Sequence, residues 1–369
     1  MVYSAVFDGS VALSLLLVPA VREYARRREI HDLPGGHKSH SAPVPYLGGV
    51  AMVVAFSIAM VVGVFLQRNT VIEGREVSLD ISNVSLFDDP LVGQLFLVLG
   101  LAIAFSLMGL IDDLRGLSPW LRFFVGLGLA SVLVASGVQV ESPLPSFADF
   151  WISVIWILGI TNAFNLLDNI DGLAAGTAAV AAGAFFFIAV INDQPNGALL
   201  AIGLAGAMLG FLRSNFHPAS IYMGDAGSLF IGFMMAYLGL KMRTNVTEIP
   251  QLFAPVVVLG VAVLDTTMVV VSRLRRRLSP FTGGQDHLSH RLRRLGLSVR
   301  RSVTTLLVGS AALGVLAVGL SEAPAGVGYW FLGAVAVSGL MAAIVLTTKV
   351  ARVDSSENSN VTPLRREVG

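Results

Sequence analysis

Asn162, Asn165, Asp168 and Asp171 recur every third residue in the stretch NAFNLLDNIDGLAAG, residues 162–176. On a helix that spacing keeps neighbours on one slowly drifting face, so the two carboxylates look toward the same place. The stretch lies between the apolar runs Trp151 to Ile160 and Leu173 to Ile191. Polar residues are costly between membrane spans, so such a cluster marks a functional site by default. Asp171-Gly172 and the later Gly176 suggest a turn or a close backbone approach at its end.

Three further stretches carry groups able to do chemistry. Asp112 and Asp113 close the segment LIDD. Adjacent carboxylates can hold a divalent cation or act as base and metal ligand, because their like charges need a cation or a proton to coexist. An acidic cap at a helix end, partnered by Arg115, would use the same residues. Asp225 lies among glycines in IYMGDAGS, where a backbone can approach a ligand and a helix amino terminus favours an anion; an N-cap carboxylate is the alternative. Gly283-Gly284 precedes Asp286, His287 and His290 within a run rich in arginine. Two histidines amid cations suit a grip on pyrophosphate or proton transfer near neutral pH. As a zinc site they lack clear further ligands, and most of the arginines suit anionic lipid headgroups. Asp265, inside an apolar run, needs a partner such as Arg273 or a water-filled cavity. The first loop, residues 31–49, has enough Gly and Pro to be a shaped, non-helical segment in which Lys38 and His40 could reach phosphate.

Composition says what must hold these groups. Of 369 residues, 54% are hydrophobic and 13% charged, and the mean hydropathy is +0.75. These values exclude an ordinary soluble globular protein. The chain reads as an all-α, polytopic membrane protein with a single integral-membrane domain over residues 1–349 and a disordered polar tail over 350–369. Absence of cysteine excludes disulfides, thiolate catalysis and Cys-based metal sites. The first apolar run has no basic segment before it and no small-residue cleavage site after it, so it reads as a retained span.

Runs of mostly apolar residues mark eleven spans, near 2–21, 47–66, 91–111, 119–138, 150–164, 172–191, 197–213, 226–242, 251–271, 302–321 and 327–348. Eleven spans place alternate loops on opposite sides. All but four of the 25 Lys and Arg then fall on one side, the four being Arg68, Arg75, Lys241 and Arg243. The positive-inside rule makes the crowded side cytoplasmic, the amino terminus outside and the carboxyl terminus inside. Asp112-Asp113, the Asn162 to Asp171 stretch, Asn215 to Asp225 and His287/His290 all gather at the cytoplasmic face, whereas Asp88-Asp89 falls outside in a solvated acidic loop. Carboxylates, histidines and cations on one membrane face suggest metal-assisted chemistry on a phosphorylated substrate, with a lipid as the second substrate. A nucleotide-sugar or phosphate transporter is the competing class, but it predicts internal repeats and midplane ionisable groups.

Five motifs, in order, resemble those of the polyprenyl-phosphate N-acetylhexosamine-1-phosphate transferases: HKSHSAPVPYLGG (37–49), LIDD (110–113), NAFNLLDNIDGLAAG (162–176), NFHPASIYMGDAGS (215–228) and SPFTGGQDHLSHRL (279–292). The resemblance implies transfer of a sugar-1-phosphate from a UDP-N-acetylhexosamine to polyprenyl phosphate, with release of UMP, in the plasma membrane. It implies Mg2+ as cofactor, with Mn2+ as a substitute, no nucleic-acid partner, and room for a homodimer. Magnesium would be held by Asp225 and Asp112. The implied catalytic set is Asp112, Asp113, Asp168, Asp171 and His287, and substrate would meet Lys38, His40, Asn165, Asn215, Tyr222, His290 and Arg291. Because a phosphate monoester has a second pKa of about 6, Asp112 is expected to position the lipid phosphate rather than deprotonate it. Two residues depart from the family pattern: Asn169 stands where Gly is frequent, and Ser289 where many relatives have a third histidine. Val-Pro-Tyr-Leu-Gly-Gly replaces the Thr-Pro-Thr-Met-Gly-Gly typical of the MurNAc-pentapeptide transferase, which favours the branch that handles UDP-GlcNAc or a related simple sugar.

Overall fold

The computed structural model describes residues 1–32, 43–70, 90–142, 144–242, 248–279 and 284–360. Lys38, His40, Gly283 and the Asp88-Asp89 pair lie outside the described residues. Thirteen α-helices account for most of the rest: α1 Val2–Arg27, α2 Gly48–Thr70, α3 Pro90–Arg115, α4 Pro119–Ala135, α5 Ser146–Leu167, α6 Leu173–Ile191, α7 Pro195–Asn215, α8 Gly224–Lys241, α9 Ala254–Val258, α10 Gly260–Arg275, α11 Leu288–Arg294, α12 Val299–Ser321 and α13 Ala325–Asn360. Among the described residues the sheet is minimal: β1 His31–Asp32 pairs antiparallel with β2 Val44–Pro45.

Among the described residues eight helices are long and apolar enough to cross a membrane, or nine if one bent pair counts as a single span. The protein is therefore an all-α polytopic membrane protein. Each apolar run read from the sequence falls on helix, with two differences of shape. The run expected at 251–271 is broken: Ile249–Val258 and Gly260–Arg275 meet at 77°. Pro250 and Pro255, which lack an N–H, lie in its first segment, and its second segment starts afresh at Gly260. At the carboxyl end α13 continues through Lys349 to Asn360, beyond the limit expected at about 349, and residues 361–369 lie outside the described set.

Helix α8 is the axis of the packing, with every residue from Ala226 to Leu240 buried. A helix that is apolar all round has no solvent face to offer and is surrounded by others; here α2, α3 and α5 press on it. Contact with α5 is backbone on backbone. A Cβ at Gly232 would lie 2.6 Å from Thr161 Cα, so only glycine permits that crossing, as small residues do at membrane helix interfaces. Helix α13 is the opposite case, with no buried residue in its most apolar window. The tight α3–α8–α5 core brings the ends of these three helices, and the polar residues they carry, to one place.

Candidate functional site

The α3–α8 contact is set by Gly109, one helical turn before Asp112 and Asp113. A Cβ there would lie 2.2 Å from the carbonyl oxygen of Asp225. At that separation Asp113 reaches across to the amino terminus of α8, accepting hydrogen bonds from Asp225 N at 2.9 Å and Ala226 N at 3.1 Å. These amides have no partner within their own helix, so a carboxylate from a neighbouring helix satisfies them and suits the positive end of the dipole. Gly224 makes room: its φ is +69°, and a Cβ on it would meet Asp113 Oδ2 at 2.5 Å. The first loop is fastened to the same segment. Tyr222 N donates to Pro45 O at 2.9 Å, Gly48 N donates to Tyr222 O at 2.9 Å, and the Tyr46 hydroxyl donates to Asp113 O at 3.3 Å.

Asp112 turns the other way. It accepts from Leu117 N at 2.6 Å and pairs with Arg122 of α4, which also reaches Asp225 Oδ2 at 3.0 Å. In the acidic-cap alternative Arg115 was the partner of this segment; the geometry pairs Asp112 with Arg122 instead, because the turn after α3 folds α4 back over the pair. Asn165 of α5 completes the group, donating to Asp225 Oδ1 at 2.8 Å and lying 2.9 Å from Ser228 Oγ. One guanidinium nitrogen thus lies between two carboxylates from different helices. The Asp225 side chain keeps 30% of its surface exposed, enough to meet a ligand.

The chain beyond α5 forms an acidic floor beside this group. Burial, followed by the charges of Asp225, Asp113 and Asp171, pushes the Asp168 carboxyl up to about 8. Asp171 is already occupied: its Oδ2 accepts from Ala219 N at 3.0 Å and lies 2.7 Å from His217 Nδ1. Asn215 was expected to touch substrate, but it is buried and uses both ends of its amide within the chain. Its Oδ1 accepts from Gly172 N at 3.1 Å and its Nδ2 donates to Ile221 O at 3.0 Å. It is a strut beneath the floor. Asn162, at the start of the motif, is exposed and donates to Leu158 O of its own helix. Tyr222 is half-buried at the edge of the floor, and burial raises its phenol above the ordinary range.

Helix α11 stands at the far side. Its first residues are anchored by a dyad that sequence reasoning did not pair: buried His287 places Nδ1 2.8 Å from Asp265 Oδ2, and Leu288 N donates to Asp265 Oδ1 at 2.6 Å. Asp265 therefore has His287 as its partner; Arg273 lies instead 3.4 Å from Asp286. A fully buried carboxylate is tolerable only with such partners. Arg291 donates to Asp286 O at 2.9 Å and to Thr347 Oγ1 of α13 at 3.3 Å, which ties α11 to α13. His290 is closer to solvent, its ring 5.8 Å from that of His287. Burial and the nearby His287 and Arg293 push its imidazole down to about 4, so it is neutral around pH 7. His290 also lines a surface basin of about 590 Å³ with Gln285, Arg293, Arg294 and Ser298.

A second, narrow cleft of only about 40 Å³ lies between α3, α4 and α5. Phe105, Met108, Phe123, Gly126 and Leu158 form its apolar walls, and Arg122 and Asn165 stand in its lining beside Asp112 and Asp225. Among the described residues no trio of His, Cys, Asp or Glu forms a metal cage. What stands there instead is a pair of carboxylates, Asp112 and Asp225, both engaged by Arg122 and close to Asp168. Hard oxygen donors of this kind suit Mg2+, which keeps several waters and needs one or two carboxylates plus substrate phosphates.

Arg122, Asp265 and His217 were not among the site residues read from the sequence. Arg122 looked like one more cytoplasmic cation. Its signal was position: four residues after Ser118, whose side chain caps α4 by accepting from Leu121 N at 3.2 Å, it belongs to the first turn of a helix that follows LIDD closely. Gly109 could have been found from its i, i+3 and i+4 relation to Asp112 and Asp113.

Residues 95–243 match the profile of Glycosyl transferase family 4. The chain is 29% identical over 326 residues to a probable undecaprenyl-phosphate N-acetylglucosaminyl 1-phosphate transferase of Bacillus subtilis, covering 86% of this chain and 84% of the relative. It is 31% identical over 358 residues to the decaprenyl-phosphate N-acetylglucosaminephosphotransferase of Mycobacterium leprae, covering 87% and 85%. With the phospho-N-acetylmuramoyl-pentapeptide-transferase of Bacillus anthracis it shares 32% identity over 272 residues, 71% of this chain and 78% of the relative.

Proposed function

The chain belongs to Glycosyl transferase family 4, and from that membership we propose that it transfers an N-acetylhexosamine-1-phosphate, foremost GlcNAc-1-phosphate, from a UDP-sugar to polyprenyl phosphate. The products are a polyprenyl-diphospho-sugar and UMP. The observation that carries this reading is the Asp112–Arg122–Asp225 group standing beside an apolar cleft. A lipid phosphate needs that combination: hydrocarbon walls for the chain and a cation for the head.

In this reading Arg122 meets the lipid phosphate, and the first carbons of the prenyl chain rest at the mouth of the cleft against Phe105, Phe123 and Leu158. Phosphoryl transfer requires positioning and charge stabilisation more than covalent help from the protein. Asp112 and Asp113 act by holding Arg122 and the α8 terminus in register. Asn165 and Asp168 face the nucleotide with Tyr222 at the edge, and His290, with the arginines beside it, faces the sugar diphosphate. Asp225 and Asp112 would hold Mg2+, which when bound neutralises the donor pyrophosphate. Eleven membrane crossings, an external amino terminus, a cytoplasmic carboxyl terminus and a site facing the cytoplasm at the plasma membrane complete the proposal; the single membrane domain extends over residues 1–349.

Purified protein incubated with polyprenyl phosphate, Mg2+ and a panel of UDP-sugars is expected to release UMP, fastest with UDP-GlcNAc. Release only with the UDP-MurNAc-pentapeptide would move the chain to the peptidoglycan branch. Movement of UDP-sugar into sealed vesicles without a lipid acceptor would instead support a transporter.

A further inference from the structure

Asn169 and Ser289 are 120 residues apart and in contact: Ser289 Oγ donates to Asn169 Oδ1 at 2.5 Å. The amide orientation follows from chemistry. Asn169 Nδ2 donates to Leu166 O at 2.8 Å, and only the NH2 end of the amide can do that, so the oxygen is left for the hydroxyl. Ser289 is fully buried, where a hydroxyl without a partner is costly.

The location gives the bond a role. Asn169 lies between Asp168 and Asp171 on the acidic floor, and Ser289 between His287 and His290 on α11. Helix α11 has only seven residues, too few to hold an orientation by itself. The His287–Asp265 dyad ties it to α10 and Arg291 ties it to α13. Helix α11 also packs against α12, and the Asn169–Ser289 bond ties it toward the floor.

We infer that Asn169 and Ser289 form a positioning pair that sets the gap between the nucleotide floor and α11, and thereby seats the sugar of the donor. The role rests on the transferase reading. Its test is a double-mutant cycle with Asn169→Ala, Ser289→Ala and the combination, following kcat and KM for UDP-GlcNAc, together with the affinity for UDP alone. Each single substitution is expected to lower kcat/KM about tenfold, the size of one buried hydrogen bond. Because the two act as a unit, the double variant falls no more than about twofold below the worse single. UDP, which lacks the sugar, binds all variants as it binds wild type. Ser289→Thr keeps a hydroxyl and recovers most of what Ser289→Ala loses, which keeps the test decisive if an alanine variant fails to fold. Losses that multiply in the double variant, or UDP affinity that falls in parallel with turnover, overturn the positioning role while wild type still releases UMP. A wild type that releases no UMP removes the transferase reading, and this pair's role with it.

Discussion

Replacing Gly109 by alanine adds one methyl group to α3 and strikes at the register of the whole site. The new Cβ would lie 2.2 Å from Asp225 O and 2.3 Å from Asp225 C. Carbon and oxygen rest at about 3.3 Å or more, so the amino terminus of α8 must retreat by about 1 Å. Asp113 now holds Asp225 N at 2.9 Å and Ala226 N at 3.1 Å. A retreat of that size takes both toward about 4 Å, outside hydrogen-bond range, and pulls Asp225 away from Arg122. Displacement of reacting groups by about 1 Å can cost about 100-fold in rate. The expected result is therefore a kcat for UMP release lowered about 100-fold, with KM for the UDP-sugar little changed because Asn165 and Asp168, carried by α5 and its C-cap, keep their places. Gly100→Ala is the matched control on the same helix, since nothing lies within 4 Å of its Cβ position; it should behave as wild type. A well-folded Gly109→Ala enzyme with a kcat close to wild type would refute the claim that this helix contact sets the alignment of Asp112, Asp113 and Asp225.

Asp225→Asn keeps the shape and removes the charge, so UMP release should be lost at every Mg2+ concentration; wild-type rates at limiting Mg2+ would remove Asp225 from the metal site. Arg122→Gln leaves Asp112 and Asp225 without their shared cation and the lipid phosphate without its contact. The expected signature is a raised KM for polyprenyl phosphate and a lowered kcat, with UDP affinity unchanged; equal loss of UDP affinity would assign Arg122 to the nucleotide. The Asp168 carboxyl titrates at about 8 in the folded protein against 3.8 as its ordinary value. Between those limits the folded state holds a proton that the unfolded state has released, so folding stability declines as pH rises from about 4 toward 8. In magnesium-free buffer, Asp168→Asn should gain melting temperature over wild type progressively across that window and no further above it. A difference between the two that stays constant with pH would contradict the burial argument.

The motifs were legible because each is local. Apolar runs of span length and carboxylates repeated at helical spacing both follow from residues within a few positions of one another. Those patterns sufficed to give the all-α membrane class, to gather the polar motifs on one face, and to nominate Asp112, Asp113, Asn165, Asp168 and Asp225, which the fold brings together. Other assignments depended on partners that no local pattern contains. Asp265 was read as needing a partner such as Arg273 or a water-filled cavity, and its partner is His287, 22 residues away. Asn215 looked like a substrate contact because it opens a polar motif, and its burial was decided by Gly172 and Ile221 closing on its amide.

By itself, then, the sequence determined which side chains this protein has for chemistry and that they sit in an all-α membrane protein, since composition and periodicity act over a turn or two of helix. The tertiary structure decided which of them touch. Arg122 meets Asp225 across 103 residues, Asp113 meets the same helix terminus across 112, and Ser289 meets Asn169 across 120. Those pairings depend on how closely helices approach, and that distance is set by single glycines such as Gly109 and Gly232 whose neighbours across the interface appear only once the chain has packed.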